Sequence, residues 1–275
     1  MSSRSILALL ALAFLFLAPG LALAAEPTDT LYQARTIVTG QREPERLVGL
    51  AQCLEDVLVK VTGDPRLIGD RRLAPMKSQA AHFTTAVRYH DRKEGKPVRD
   101  EQGTRDRPYD LIATFDKNVI DALLASLHEK PWTAPRPKLV VFLGVHRDGQ
   151  NYVLARDGAT GIDQREALAA AAARRGMAAT LPDQGLIDTF RLTTDRIAAG
   201  APLRPNDVAA AAGGDLGLAG TLIWSDKALG WIADWRLDWH RRIWRWRIRG
   251  VNFDAAFRGG IEGAERIVSG HGAPR

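Results

Sequence analysis

Six arginines and one histidine interleave with five of the chain's seven tryptophans in the stretch GWIADWRLDWHRRIWRWRIRG, from Gly230 to Gly250. Several chemistries use these residue types. Exposed indoles set among arginines stack on nucleobases, a flat aromatic face takes a sugar ring, and clustered guanidinium groups hold carboxylate or phosphate. The same indoles also serve as one buried face of a sheet. The order of the residues separates these readings, because side chains alternate faces along a strand. Trp231, Ala233, Trp235, Leu237 and Trp239 fall on one face, while Asp234, Arg236, Asp238 and His240 fall on the other. Further on the phase flips: Trp244, Trp246 and Ile248 are apolar, and Arg245, Arg247 and Arg249 are basic. A hairpin centred between Arg241 and Arg242 sets Trp239 opposite Trp244, Leu237 opposite Trp246 and Trp235 opposite Ile248. On the polar face it sets Asp238 opposite Arg245 and Asp234 opposite Arg249. Both faces are complementary in one register, so the tryptophans are expected in a core. In that register Arg236 and Arg247 face each other without a carboxylate. Together with His240, Arg241 and Arg242 at the turn, they are the expected site for an anion or an acidic partner. His-Arg-Arg-Ile lacks the Gly or Asn that two-residue turns prefer, so a wider loop is also open.

Nothing else in the chain has the spacing of a catalytic or metal site. The six histidines stand apart, without a His-x-x-x-His or Cys-x-x-Cys pair. The Gly-x-Ser-x-Gly of a hydrolase elbow and the Gly-x-x-x-x-Gly-Lys-Ser/Thr of a phosphate loop are both absent. GGDLGLAG (Gly213 to Gly220) leads into a strand pattern, so it lacks the helix N-terminus that would hold a phosphate and reads as a turn. Carboxylates are plentiful, but their spacing does not pair them. No catalytic residue, metal or cofactor is expected.

The elements that must position the basic stretch follow from periodicity. Residues 1–24 have the form of a secretory signal, with Arg4, an apolar run from Ile6 to Leu17, the Pro19-Gly20 break and Ala22-Leu23-Ala24. The run is short of the roughly 20 residues that span a bilayer, which favours cleavage over a retained anchor. Cys53 is the single cysteine, set in an apolar helical pattern, and is expected as a small buried hydrophobe. The net charge of +6 is a mild basic excess that suits anionic envelope surfaces and gives no ground for nucleic acid.

Residues 25–130 read as an N-terminal α+β unit. It holds a strand at Leu31 to Val38 and a helix with Pro44 in its first turn, ended by Gly63 and Pro65. Strands at Phe83 to His90 and Tyr109 to Phe115 follow, then a helix capped by Asp116. Asp91 to Arg107 mixes charges of both signs and is expected as a solvated loop. EKPWTAPRPK, with three prolines, is a stiff connector. Residues 138–270 read as a C-terminal α/β unit of order β-α-β-α-β-β-β-α, with an antiparallel tryptophan-rich meander. Asp163 and Glu166 have capping-box spacing at the start of its first helix, and the last helix is weakened by Gly259, Gly260 and Gly263. The overall class is α+β, built from two small α/β units.

The stretches CLEDVLVKVTGDPR, YDLIATFDKNVIDALL, RPKLVVFLGV and RRGMAATLP resemble the bacterial family DUF 2066, a domain of unknown function. Phe142 stands where that family often has tryptophan. The resemblance implies export and supplies no catalytic residues. The element order of the second unit, with DLGLAGTLIW entering the meander, is similar to the small α/β domains of curli-secretion proteins, the TolB amino terminus and lipoprotein activators of penicillin-binding proteins. The expectation is a non-enzymatic periplasmic protein with a binding, scaffolding or envelope-assembly role and no transmembrane segment once the signal is removed. Its partner would be an envelope protein or an anionic envelope surface. The alternative is a binder of one anionic envelope ligand through the Arg/His face.

Overall fold

The computed structural model describes residues 31–95, 107–147, 149–200 and 205–274. The expected signal and most of the Asp91 to Arg107 loop lie outside them. Among the described residues no helix is long and apolar enough to cross a membrane. The chain is α+β, and its described residues form nine strands in two sheets.

The first sheet is antiparallel, with strand order β1-β3-β2: β1 is Gln33–Thr39, β2 Thr84–Asp91 and β3 Pro108–Phe115. Helix α1 (Glu43–Thr62) packs on it because Leu50, Leu54, Val57, Leu58 and Val61 recur at helical spacing and are all buried with Cys53. Leu47, on the same sequence pattern, is exposed. Gly63 ends the helix at φ 70°, with its N–H on the Val59 carbonyl. Two single-turn helices follow, α2 (Ala74–Lys77) and α3 (Ala80–Phe83). Helix α4 (Lys117–Ser126) starts at Asp116, whose carboxylate accepts the N–H groups of Asn118 and Val119.

The second sheet runs β5-β4-β7-β8-β9, with the two-residue β6 (Ala179–Thr180) also on β4. Its strands are β4 (Leu139–Arg147), β5 (Gln150–Val153), β7 (Leu216–Ser225), β8 (Gly230–Trp239) and β9 (Arg242–Val251). β4 is parallel to β7 and β6, and the other pairings are antiparallel. Helices α5 (Ile162–Arg174) and α9 (Phe253–Val268) cover one face over the tryptophan cluster. Three short helices, α6 (Gln184–Thr189), α7 (Thr194–Ala199) and α8 (Pro205–Ala211), sit with Val140, Phe142 and Ala219 on the opposite face of β4 and β7. The order in this unit is therefore β-β-α-β-α-α-α-β-β-β-α, richer than the eight elements expected. The β4–β5 hairpin, α6 and α7 carry too little periodic signal to be read, whereas α8 is the second helix of the expected order. The expected capping box is absent: Gly161 is the N-cap of α5, no side chain caps it, and Asp163 lies inside the first turn.

Trp231, Trp235 and Trp246 are buried in the core between the sheet and α9, whereas Trp239 and Trp244, nearer the hairpin tip, are half-buried. The glycines of α9 are what admit the rings. A Cβ at Gly260 would lie 2.5 Å from the Trp235 ring, and one at Gly263 2.5 Å from Trp246. Gly220 of β7 does the same from the other side of Trp235, at 2.6 Å. What reads in sequence as helix weakness is the seat of the core.

Candidate functional site

The β8–β9 hairpin closes one residue earlier than the sequence register places it. Trp239 pairs with Arg242, leaving His240 and Arg241 as a two-residue turn at φ 49° and 63°. Positive φ at both central positions is the turn geometry that follows strand twist, normally supplied by Asn-Gly. The shift keeps every side chain on its expected face but changes its partner. Trp235 now faces Trp246, Leu237 faces Trp244, Arg236 faces Arg245 and Asp234 faces Arg247.

This exchange decides which cations are neutralised. Arg236 donates to both oxygens of its neighbour Asp238, at 3.0 and 2.9 Å, and to the Gly200 carbonyl at 2.5 Å. Arg247 makes a two-pronged ion pair with Asp234, which holds its guanidinium pKa above the usual range. The expected unpaired Arg236–Arg247 couple is thus corrected: each has a carboxylate. Arg242 lies 3.9 Å from the Trp244 ring centroid, and His240 packs edge-on against Trp239. Arg241 is exposed at the turn. The arginines left on the outer face without an ion pair among the described residues are Arg245 and Arg249, both exposed. Sequence reasoning assigned them to Asp238 and Asp234. A groove runs beside Arg245 between α7 and the sheet, lined by His146, Thr221, Asp234, Arg236, Arg245 and Arg247.

A second concentration of charge lies inside, where the two sheets' elements meet, and was not anticipated. Asp56 and Lys60 come from α1, Arg136 from the connector, Arg174 and Arg175 from the end of α5, and Glu262 and Glu265 from α9. Arg174 grips both oxygens of Asp56 at 2.9 and 3.0 Å. Arg175, 2% exposed, donates to Glu262 at 2.6 Å and stands 3.7 Å from Asp56 and 3.9 Å from Glu265. Lys60 donates to the Gln33 carbonyl and Arg136 to the Lys60 carbonyl. Glu265 is fully buried, and neither of its oxygens takes a hydrogen bond from the described residues. Burial pushes its carboxyl up to about 8, against the pull of Arg175 and Arg136, and burial brings Lys60 down to about 8. The connector belongs to this junction: the Trp132 N–H donates to the Val61 carbonyl at 2.8 Å, and Arg136 lies over the Trp132 ring. One signal was available. Helix α1 is apolar on nearly all sides around Asp56 and Lys60, which leaves them no wet face.

The two titrations fix a pH dependence. Between 4.5, the ordinary glutamate value, and about 8, folded Glu265 keeps a proton that the unfolded chain releases, so stability falls as pH rises. Between about 8 and the ordinary lysine value of 10.5, folded Lys60 lacks a proton that the unfolded chain binds, so stability rises with pH. The contribution of these groups is smallest near pH 8. Urea midpoints at pH 5, 8 and 10 are expected to trace that dip, and Glu265→Gln should remove its acid limb. A parent midpoint that climbs from pH 5 to pH 8, with Glu265→Gln climbing identically, contradicts the assignment.

Asp64, Glu129 and His271 also converge, with donor atoms within 4.8 Å of one another. Arg66 occupies both oxygens of Asp64, Arg72 reaches Glu129 at 3.4 Å, and His271 bonds Ser269. Two guanidinium groups at these carboxylates make an ionic lock, not an open cation site.

Residues 25–133 match the family model of a domain of unknown function, DUF8605. This match, over the first unit alone, stands in place of the expected DUF 2066, and nothing found fits the expected likeness of the second unit to curli-secretion and TolB-type domains. The match runs from before β1 to within the connector. No curated protein and no solved structure matches the chain.

Proposed function

We propose that the protein is an exported binding protein that recruits an acidic partner protein in the cell envelope through the outer face of β8 and β9. The observation that carries this reading is the pair Arg245 and Arg249, exposed and without carboxylates among the described residues, beside Arg247 on the outer strand of the sheet. Elsewhere on the hairpin each basic side chain that faces a carboxylate has taken it. Uncompensated like charge on one open face costs self-repulsion, which a complementary partner removes. The signal-like form of residues 1–24 supports the envelope location.

A photo-crosslinking residue placed at Arg249 in intact cells is expected to give discrete products that disappear when Arg245 is changed to Glu. The same residue at Asp188, exposed on α6, should not give them. Identical products at both positions, or products insensitive to the charge reversal, count against the proposal.

The groove beside Arg245 supports a second reading, capture of an anionic headgroup. Vesicles with anionic lipid should then bind the chain at low salt and release it as salt screens the exposed charges over about 8–10 Å. Arg245→Glu should abolish the binding.

A further inference from the structure

β9 is the last strand of its sheet, and among the described residues it pairs with β8 alone. A two-residue hairpin closes on a hydrogen-bonded pair, here Trp239 and Arg242, and along the ladder such pairs alternate with pairs whose backbone groups turn outward. Counting from Arg242, the residues of β9 that bond to β8 are Arg242, Trp244, Trp246 and Ile248. Ile243, Arg245, Arg247 and Arg249 therefore present their N–H and C=O groups to the free edge. The last three carry the basic side chains of the outer face. Donors and acceptors recur at every second residue from Ile243 to Arg249, and positive charge accompanies them at Arg245, Arg247 and Arg249.

We infer that β9 receives an extended segment of the acidic partner as an added antiparallel strand, and that this segment alternates acidic with apolar residues. The inference rests on the reading of this face as the binding surface and specifies how it binds. The acidic side chains fall opposite Arg245, Arg247 and Arg249, at the separation where cross-strand opposite charges attract. The intervening side chains fall on the inner face beside Trp244 and Ile248, which are half-buried and have apolar area left to cover. A second copy of the chain does not suit the edge. β9 against β9 opposes arginine to arginine, β5 and β1 carry no carboxylate, and β2 carries Arg88 with a single carboxylate, Asp91, at its end. Charged residues on an edge strand commonly guard against such self-pairing, and the same charges select an acidic strand.

Fluorescence anisotropy with synthetic nine-residue peptides tests the inference on the whole chain. A peptide alternating Glu and Val is expected to bind, more weakly as salt rises. The same composition with the glutamates in one block should bind at least about tenfold more weakly, since its charges and its backbone cannot be in register together. In an antiparallel addition the glutamate N–H groups point at β9 and the valine N–H groups point away. N-methylation at the glutamates should therefore abolish binding, and N-methylation at the valines should spare it. The Arg245→Glu, Arg249→Glu variant, with an unchanged urea midpoint because both residues are exposed, should lose the peptide. Equal binding of all the peptides would overturn strand addition and leave a purely electrostatic face, so the reading of the surface would stand without this mode. Loss on valine methylation alone would overturn the antiparallel register. Failure of every peptide, with crosslinking at Arg249 intact, would overturn strand addition only.

Discussion

Trp235→Ala should lower the unfolding free energy by about 3–5 kcal/mol, the range for deleting a large aromatic side chain from a core. Trp235 is 2% exposed and is held between Gly220 of β7 and Gly260 of α9. Neither glycine carries a side chain that could swing into the void from its position, so much of the lost volume remains as a cavity. Its indole N–H is buried without a partner. Trp235→Phe should therefore cost much less, because it removes an unsatisfied donor along with part of the ring. Trp239, which the sequence register sets opposite Trp244 in the aromatic face, is half-buried against His240, and its deletion should cost less than that of Trp235. Urea denaturation at constant m reads all three variants. Equal midpoints for Trp235→Ala and Trp239→Ala would contradict the packing described.

At about pH 9, where folded Glu265 has given up its proton, Arg175→Met should cost about 3–5 kcal/mol, the penalty for removing one member of a buried charge network and leaving the others uncompensated. Arg175 stands among Asp56, Glu262 and Glu265, and is the cation that faces carboxylates from both α1 and α9. Asp56 keeps Arg174 after the change, and Glu262 retains some access to water, so the penalty falls chiefly on Glu265. Glu265 then keeps Arg136, at 4.0 Å, and the weaker pull of Lys60. Glu265→Gln in the Arg175→Met background should recover part of the loss, and the two substitutions should be strongly non-additive. Strict additivity by denaturation would show that the residues do not interact across the junction. A Met of similar length keeps the packing, so charge is the variable tested.

Much of this architecture was legible in the chain. Period-3.6 apolar spacing located α1, α4 and α9, and period-2 alternation located the meander, because each pattern must bury one face in water. The parity of the Trp/Arg alternation determined that the tryptophans face inward and the arginines outward. It could not determine the partners. A hairpin shifted by one residue preserves every face while replacing every pair, and the choice rested on whether His240 and Arg241 would accept positive φ, which their residue types do not announce. That shift tied Arg236 and Arg247 to carboxylates and left Arg245 and Arg249 open. The glycines of α9 read as defects until the rings they accommodate were in place. The buried junction was least accessible of all. Asp56, Arg136, Arg175 and Glu265 come from four segments distant along the chain, and charged residues are by composition surface residues. Only the packing of α1 against α5 and α9 removes water from them and sets how strongly each must hold or surrender its proton.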